Sequence, residues 1–354
     1  MKHTRYFENI SNFFCISLGV IIFLTGCSSY IESQEVKPTS PPALAATTEN
    51  KLLQPIAQLT YIKNQENSGS MYGVDITCLS NVKICAKEPV LLFRTLSMPN
   101  ASQYEPKGLL TDYSWSPSGK EIVLVSAGDL LIGSFSGDTV KWTNVTKSPD
   151  IDELEPEWSS DGNFIYYIEC IDNSAGMCSP KLVRTDRLGK NKLYLLSKQD
   201  TSMTSFGISS DGQKIIFTAT DKEGYEQIYK ASQDGADIHQ ITFGDFDNTS
   251  PSFSPDGKEL IFVRSSRLEY IDAKPEFEIV LKNLGTGLER NLIEKHAGDA
   301  SAPIFSPDGK WIIFTIWDDN LMHNIYLLAL DQISLFQLTQ DNEGAFPAWR
   351  FITK

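Results

Sequence analysis

The stretch Phe253-Ser-Pro-Asp-Gly257, followed after Lys258 by the apolar run Glu259-Leu-Ile-Phe-Val263, decides the fold because it recurs. The chain repeats it as Phe305-Ser-Pro-Asp-Gly309 before Trp311-Ile-Ile-Phe-Thr315, and as Ile208-Ser-Ser-Asp-Gly212 before Lys214-Ile-Ile-Phe-Thr218. Upstream it reads Trp158-Ser-Ser-Asp-Gly162 before Phe164-Ile-Tyr-Tyr-Ile168, and Trp115-Ser-Pro-Ser-Gly119 before Glu121-Ile-Val-Leu-Val125. The leading position returns once more as Trp349 in Pro347-Ala-Trp-Arg-Phe351. From 115 to 349 the intervals are 43, 50, 45, 52 and 44 residues, so one structural unit recurs at a near-constant length.

Each phrase fits a β-turn, with a side-chain acceptor first, Pro and its preset φ second, and Gly last. The run after it is β-branched and aromatic and reads as a buried strand. A third run follows, as in Gln227-Ile-Tyr-Lys230, and a fourth closes the unit, as in His239-Gln-Ile-Thr242. Four short antiparallel strands in some 45 residues make one blade of a propeller. Complete units begin near 112, 155, 205, 250 and 302. Before them stand three strand-like runs, 57–62, 72–78 and 90–95; after them stands one, 346–352. Three strands from one end and one from the other complete a further blade. The expectation is an all-β, six-bladed β-propeller closed by strands from both termini.

The Ser-Pro-Asp-Gly-Lys phrase, with its upstream Pro and aromatic, resembles the WD40-like or PD40 repeat of TolB-like propeller domains, over roughly residues 55–354. The resemblance implies a periplasmic propeller of the cell envelope that binds a protein or peptide, with a peptidoglycan-associated lipoprotein among the partners it suggests. TolB-like proteins also carry an amino-terminal α/β domain, whereas here a short tether is expected before the propeller.

The amino end reads as an address. Lys2, His3 and Arg5 precede an apolar run from Phe13 to Leu24, too short for the roughly 20 residues of a spanning helix. It ends in Leu24-Thr25-Gly26-Cys27, which resembles a bacterial lipobox and implies a diacylglyceryl group on Cys27. The alternative is an ordinary signal peptide with a chance Cys. Two or more acyl chains anchor a protein stably in a bilayer. The expected layout is a signal peptide over 1–26, a lipidated Cys and Pro/Ser/Thr-rich linker over 27–52, and the propeller over 53–354. The protein is then exported and membrane-anchored, on the periplasmic or extracellular face, and monomeric.

Lys and Arg total 31 against 45 Asp and Glu, a net charge of −14 with no cationic cluster, which argues against nucleic acid. Cys78 and Cys85, and Cys170 and Cys178, form two close pairs flanking polar segments; in an exported chain these read as two disulfides. Crossed pairing is one alternative and a four-Cys metal site another, although neither pair is a C-x-x-C.

PD40 propellers also gate prolyl-oligopeptidase-type hydrolases, which need G-x-S-x-G. The sequence contains none, since Gly133-Ser-Phe-Ser-Gly137 centres on Phe135. Asp245-x-Asp247-x-Thr249 imitates the start of a Ca²⁺ loop, but position six is Ser250 instead of Gly. His239, His296 and His323 lack ligand spacing. Asp152, Asp247, Asp299 and Glu343 each lie six residues before the aromatic that opens a turn phrase, with Glu153, Glu155, Asp245 and Asp341 beside them. They form a candidate acidic binding rim at the channel mouth. No catalytic residue, metal site or cofactor is expected. The leading expectation is a non-enzymatic binding module; the rival is a metal-dependent hydrolase or carbohydrate-binding propeller working from the acidic channel.

Overall fold

A computed structural model describes residues 57–65, 68–80, 83–86, 88–95, 106, 109–137, 139–148, 151–172, 178–196, 203–266, 276–297, 299–317, 323–331, 333–340 and 344–350. Among them every regular element is a strand, and the strands form six antiparallel sheets. Residues 1–56, with the signal, Cys27 and the linker, lie outside this set.

Blade 1 combines the carboxy-terminal strand Ala345–Arg350 with Ala57–Gln65, Ser68–Ser80 and Lys83–Ala86. Blade 2 runs Tyr113–Trp115, Glu121–Ser126, Asp129–Ser136, Thr139–Asn144; blade 3 runs Asp152–Trp158, Phe164–Asp172, Cys178–Asp186, Leu193–Tyr194. Blade 4 runs Phe206–Ile208, Lys214–Thr220, Glu226–Ser232, His239–Gln240; blade 5 runs Asp247–Phe253, Glu259–Ser265, Glu276–Asn283, Glu289–Ala297. Blade 6 runs Asp299–Phe305, Trp311–Trp317, His323–Ala329, Ser334–Gln337. The ring closes as the repeats require, with Gln58 opposite Arg350, Leu59 opposite Trp349 and Thr60 opposite Ala348. Blade 1 holds one strand more than the sequence indicates. The long strand Ser68–Ser80 accepts Lys83–Ala86 along its second half and Val90–Arg94 along its first.

The core is annular. Apolar clusters fill each of the six seams between neighbouring blades, from blades 1 and 2 round to blades 6 and 1. Second strands feed two seams at once: Ile122 and Leu124 face blade 1, while Val123 and Val125 face blade 3. This double burial explains why these runs are continuously apolar instead of alternating.

The turn phrase has a repeated hydrogen-bond pattern. The Gly N–H donates to the Ser carbonyl at 2.9 Å in Ser254–Gly257, and the Ser254 hydroxyl donates to Asp256 at 2.8 Å. The same Ser254 oxygen accepts the Glu259 N–H at 2.9 Å, which starts the second strand. Ser159, Ser209 and Ser306 repeat all three contacts. Gly257 has φ of 66°, a left-handed value that a side chain disfavours, so Gly ends the phrase. Asp161, Asp211 and Asp256 are therefore turn formers, and these hydrogen bonds hold their carboxyls below the usual range.

Cys170 and Cys178 form a disulfide across the second and third strands of blade 3. Cys78 and Cys85 are register partners in blade 1, but their side chains lie outside the described residues.

Two stability predictions follow from closure and cross-linking. Trp349→Ala empties the seam between blades 6 and 1 and lowers unfolding free energy by about 3–5 kcal/mol in urea titrations. Replacing Cys170 and Cys178 together by Ser costs about 2.5 kcal/mol on the chain-entropy model, measured the same way against the wild-type chain.

Candidate functional site

The six first strands touch one another in succession around the axis and form the inner wall of the ring. Four of them carry a bulge followed by Pro. Glu155, Ser250, Ala302 and Phe346 have φ of 49°, 51°, 50° and 51°, and Pro156, Pro251, Pro303 and Pro347 come next. Pro lacks an N–H, so at a bulge it forfeits no ladder bond.

A first strand pairs with its second strand along one edge, and its other edge needs partners from the neighbouring blade. Acids and a hydroxyl provide them between blades 2 and 4. Asp112 accepts the Glu155 N–H, and Ser114 Oγ accepts the Trp158 N–H at 3.3 Å. Glu155 accepts the Phe206 N–H, and Glu157 Oε1 accepts the Ile208 N–H at 3.4 Å. Each contact joins one blade to the next.

Burying three carboxyls here changes their protonation. Burial, then the charges of Asp112 and Glu157, push Glu155 well above the usual carboxylate range. Burial raises Asp112, and it pushes Glu157 up to about 8. A carboxyl kept neutral at pH 7 offers an O–H donor as well as an acceptor, so this wall is less anionic than its composition.

The remaining rim acids begin the first strands of blades 3, 5 and 6. Asp152, Asp247 and Asp299 are register partners of Cys170, Ser265 and Trp317, so all three mark the same end of the ring, beside the disulfide. Asp152 lies against the backbone of blade 2, where a Cβ at Gly128 would come within 2.6 Å of its Oδ1. Asp247 Oδ1 accepts the Glu226 N–H of blade 4 at 2.8 Å. Asp299 Oδ1 accepts the Ala300 N–H at 2.8 Å, and burial raises its carboxyl. Asp341 and Glu343 lie outside the described residues. Asp245 stands exposed between the solvent-facing rings of Phe243 and Phe246 in the loop entering blade 5. Among the described residues, no three His, Cys, Asp or Glu side chains gather into a metal-holding group.

The structure thus brings Glu155 together with Asp112 and Glu157, two acids that the sequence reading did not single out. Aligning the units would have found them. Asp112 precedes Trp115 by the same three positions that separate Glu155 from Trp158, and Glu157 directly precedes Trp158.

Comparison with known proteins agrees with the architecture. No family model matches the chain. The uncharacterized peptidase YuxL of Bacillus subtilis (strain 168) is 25% identical over 241 residues, which are 64% of this chain and 31% of that protein. The chain therefore matches under a third of that relative's length. The crystal structure of TolB from Acinetobacter baumannii superposes with a TM-score of 0.62 at 19% identity, over 83% of this chain and 66% of that one. The structure of putative TolB from Agrobacterium tumefaciens gives a TM-score of 0.58 at 15% identity, over 85% of this chain and 100% of that one. At these identities the likeness establishes a shared TolB-type propeller fold.

Glu157 makes stability depend on pH. Its folded-state carboxyl, up to about 8, lies above the value of 4.5 for the free group. Its contribution is complete below that lower value and is lost as pH rises through the folded one. Thermal melts should show a higher Tm at pH 5.5 than at pH 8.5, and Glu157→Gln should narrow the difference.

Proposed function

We propose that this chain is an exported, lipid-anchored, non-enzymatic propeller that docks a protein or peptide of the cell envelope at the end of the ring where the first strands begin. The observation that carries the reading is the concentration of distinctive features at that end. Asp152, Asp247 and Asp299 lie there with the disulfide, and Phe243 and Phe246 present exposed rings on either side of Asp245. Exposed aromatics flanking an acid suit a partner with apolar and cationic side chains. The disulfide favours an oxidising compartment, and Cys78 with Cys85 is assigned as a second one. Cys27 is assigned as the lipidation site, with residues 27–52 as the tether and a monomer as the working form.

The similarity to a peptidase does not carry peptidase chemistry into this reading. The match covers 31% of that protein, and G-x-S-x-G is missing from the present sequence. A shared propeller fold is likewise compatible with many functions.

Affinity capture from solubilised envelope, using a control protein of matched charge at moderate salt, tests the docking. A defined partner should be retained by the wild-type chain. The double variant Phe243→Ala with Asp245→Lys should reduce its recovery at least about tenfold, as loss of an interface anchor does, with Tm unchanged. Equal recovery by the variant or the control removes the assignment.

A further inference from the structure

The second residue of a first strand and its register partner on the second strand point into a seam, and the blades fill this place differently. In blade 6 the pair is Ala300 and Ile316, both apolar. In blade 5 it is Asn248 and Arg264, where donors meet acceptors. Asn248 Nδ2 donates to Gln227 Oε1 at 3.0 Å, Arg264 Nε donates to Asn248 Oδ1 at 2.9 Å, and Arg264 Nη2 donates to Glu289 at 2.8 Å.

In blade 3 the same place holds two carboxyl groups, Glu153 and Glu169, both fully shielded from solvent. Glu153 Oε1 accepts the Ser148 hydroxyl of the loop leaving blade 2. Glu169 Oε1 accepts the Tyr167 hydroxyl at 3.2 Å and pairs with Lys192. The second oxygen of each, Glu153 Oε2 and Glu169 Oε2, has no hydrogen-bond partner. Nearby Asp129 adds negative charge, with its oxygens occupied by Asn144 Nδ2 and the Ser148 N–H. Lys192 balances one charge of the group. The Thr146 hydroxyl also bonds Glu153 and the Tyr194 hydroxyl bonds Glu169, yet the two buried Oε2 atoms on one blade face stay without a partner, and such atoms call for a positive ligand between them.

We propose that the seam between blades 2 and 3 binds a hard divalent cation of the Ca²⁺ class through Glu153 Oε2 and Glu169 Oε2. The donors are all oxygen, which selects such an ion over a thiophilic or imidazole-preferring metal. The Ser148 and Tyr167 hydroxyls fix the other oxygen of each carboxylate and so orient the pair. Lys192, with 31% of its side chain exposed, and Tyr194, 42% exposed, border Glu169 on the solvent side and mark the route of entry. The ion would tie the first and second strands of blade 3 together where the apolar cluster of the seam gives way to polar side chains. This site is independent of the docking surface proposed above.

The test uses the full chain, stripped of metal with a chelator, and Tb³⁺ as a luminescent probe excited through nearby aromatic rings such as Tyr167. Saturable emission displaced by Ca²⁺ is expected. A hundredfold excess of Ca²⁺ over its Kd should raise Tm by about 4 °C. Glu153→Gln, which keeps the shape and the Ser148 contact, should abolish both responses with its circular dichroism unchanged. Absence of displaceable emission and of a Tm rise in the wild-type chain overturns the site. Retention of both responses in Glu153→Gln does so too, because the ion then binds the acidic surface elsewhere.

Discussion

Ring closure is the constraint on which the other contacts depend. Ala345–Arg350 pairs with Ala57–Gln65, and Thr60 lies at the centre of that junction. Its hydroxyl donates to the Ala348 carbonyl at 3.2 Å, accepts the Trp115 indole N–H at 2.9 Å and contacts the Tyr113 hydroxyl at 3.1 Å. Arg350 ties the same junction to blade 2. Its Nε donates to the Gly119 carbonyl at 2.7 Å, and its guanidinium stacks 4.2 Å from the centre of Trp115. One hydroxyl and one guanidinium thus connect the two chain ends to the first complete blade. Without that closure blade 1 would lose its first strand, and the apolar seams on both of its sides would open.

Closure also determines what the inner wall must do. Six first strands brought edge to edge leave backbone N–H groups that no second strand can pair. Blades 2, 3 and 4 satisfy them with Asp112, Ser114, Glu155 and Glu157. The bulges at Glu155, Ser250, Ala302 and Phe346 place left-handed residues at equivalent points of four blades. A non-glycine residue in that region is strained, and its repetition shows that ring geometry imposes the conformation. Acids of the wall are therefore structural groups first, and their raised protonation follows from the burial that closure enforces.

Against this regular background, departures from the repeat carry the functional signal. Exposed Phe243 and Phe246 flank Asp245 in a single inter-blade loop, and the carboxylate pair Glu153–Glu169 occupies a place that is apolar in blade 6 and charge-matched in blade 5. Near-identical units turn the ring into its own reference. A residue that the turn, the bulge and the seam do not require stands out by comparison with its equivalents.

The architecture was legible because its determinants are local. The Ser, Asp and Gly of each turn phrase bond within six consecutive residues, and the apolar runs record burial on both faces, so the repeat, the blade count and the shared closing blade could be read directly. Blade 1's extra strand Lys83–Ala86 escaped because four residues that begin three positions after their partner Ser80 read as part of a loop. The rim acids were visible by spacing, yet their contacts were not. Asp247 bonding to Glu226, Asp112 meeting Glu155 and Glu153 facing Glu169 all join residues 16 to 43 positions apart. The sequence by itself determined a closed wheel of short sheets. Only the tertiary structure decided which acids share a space, because that depends on which side chains two neighbouring blades turn into one seam or onto one wall.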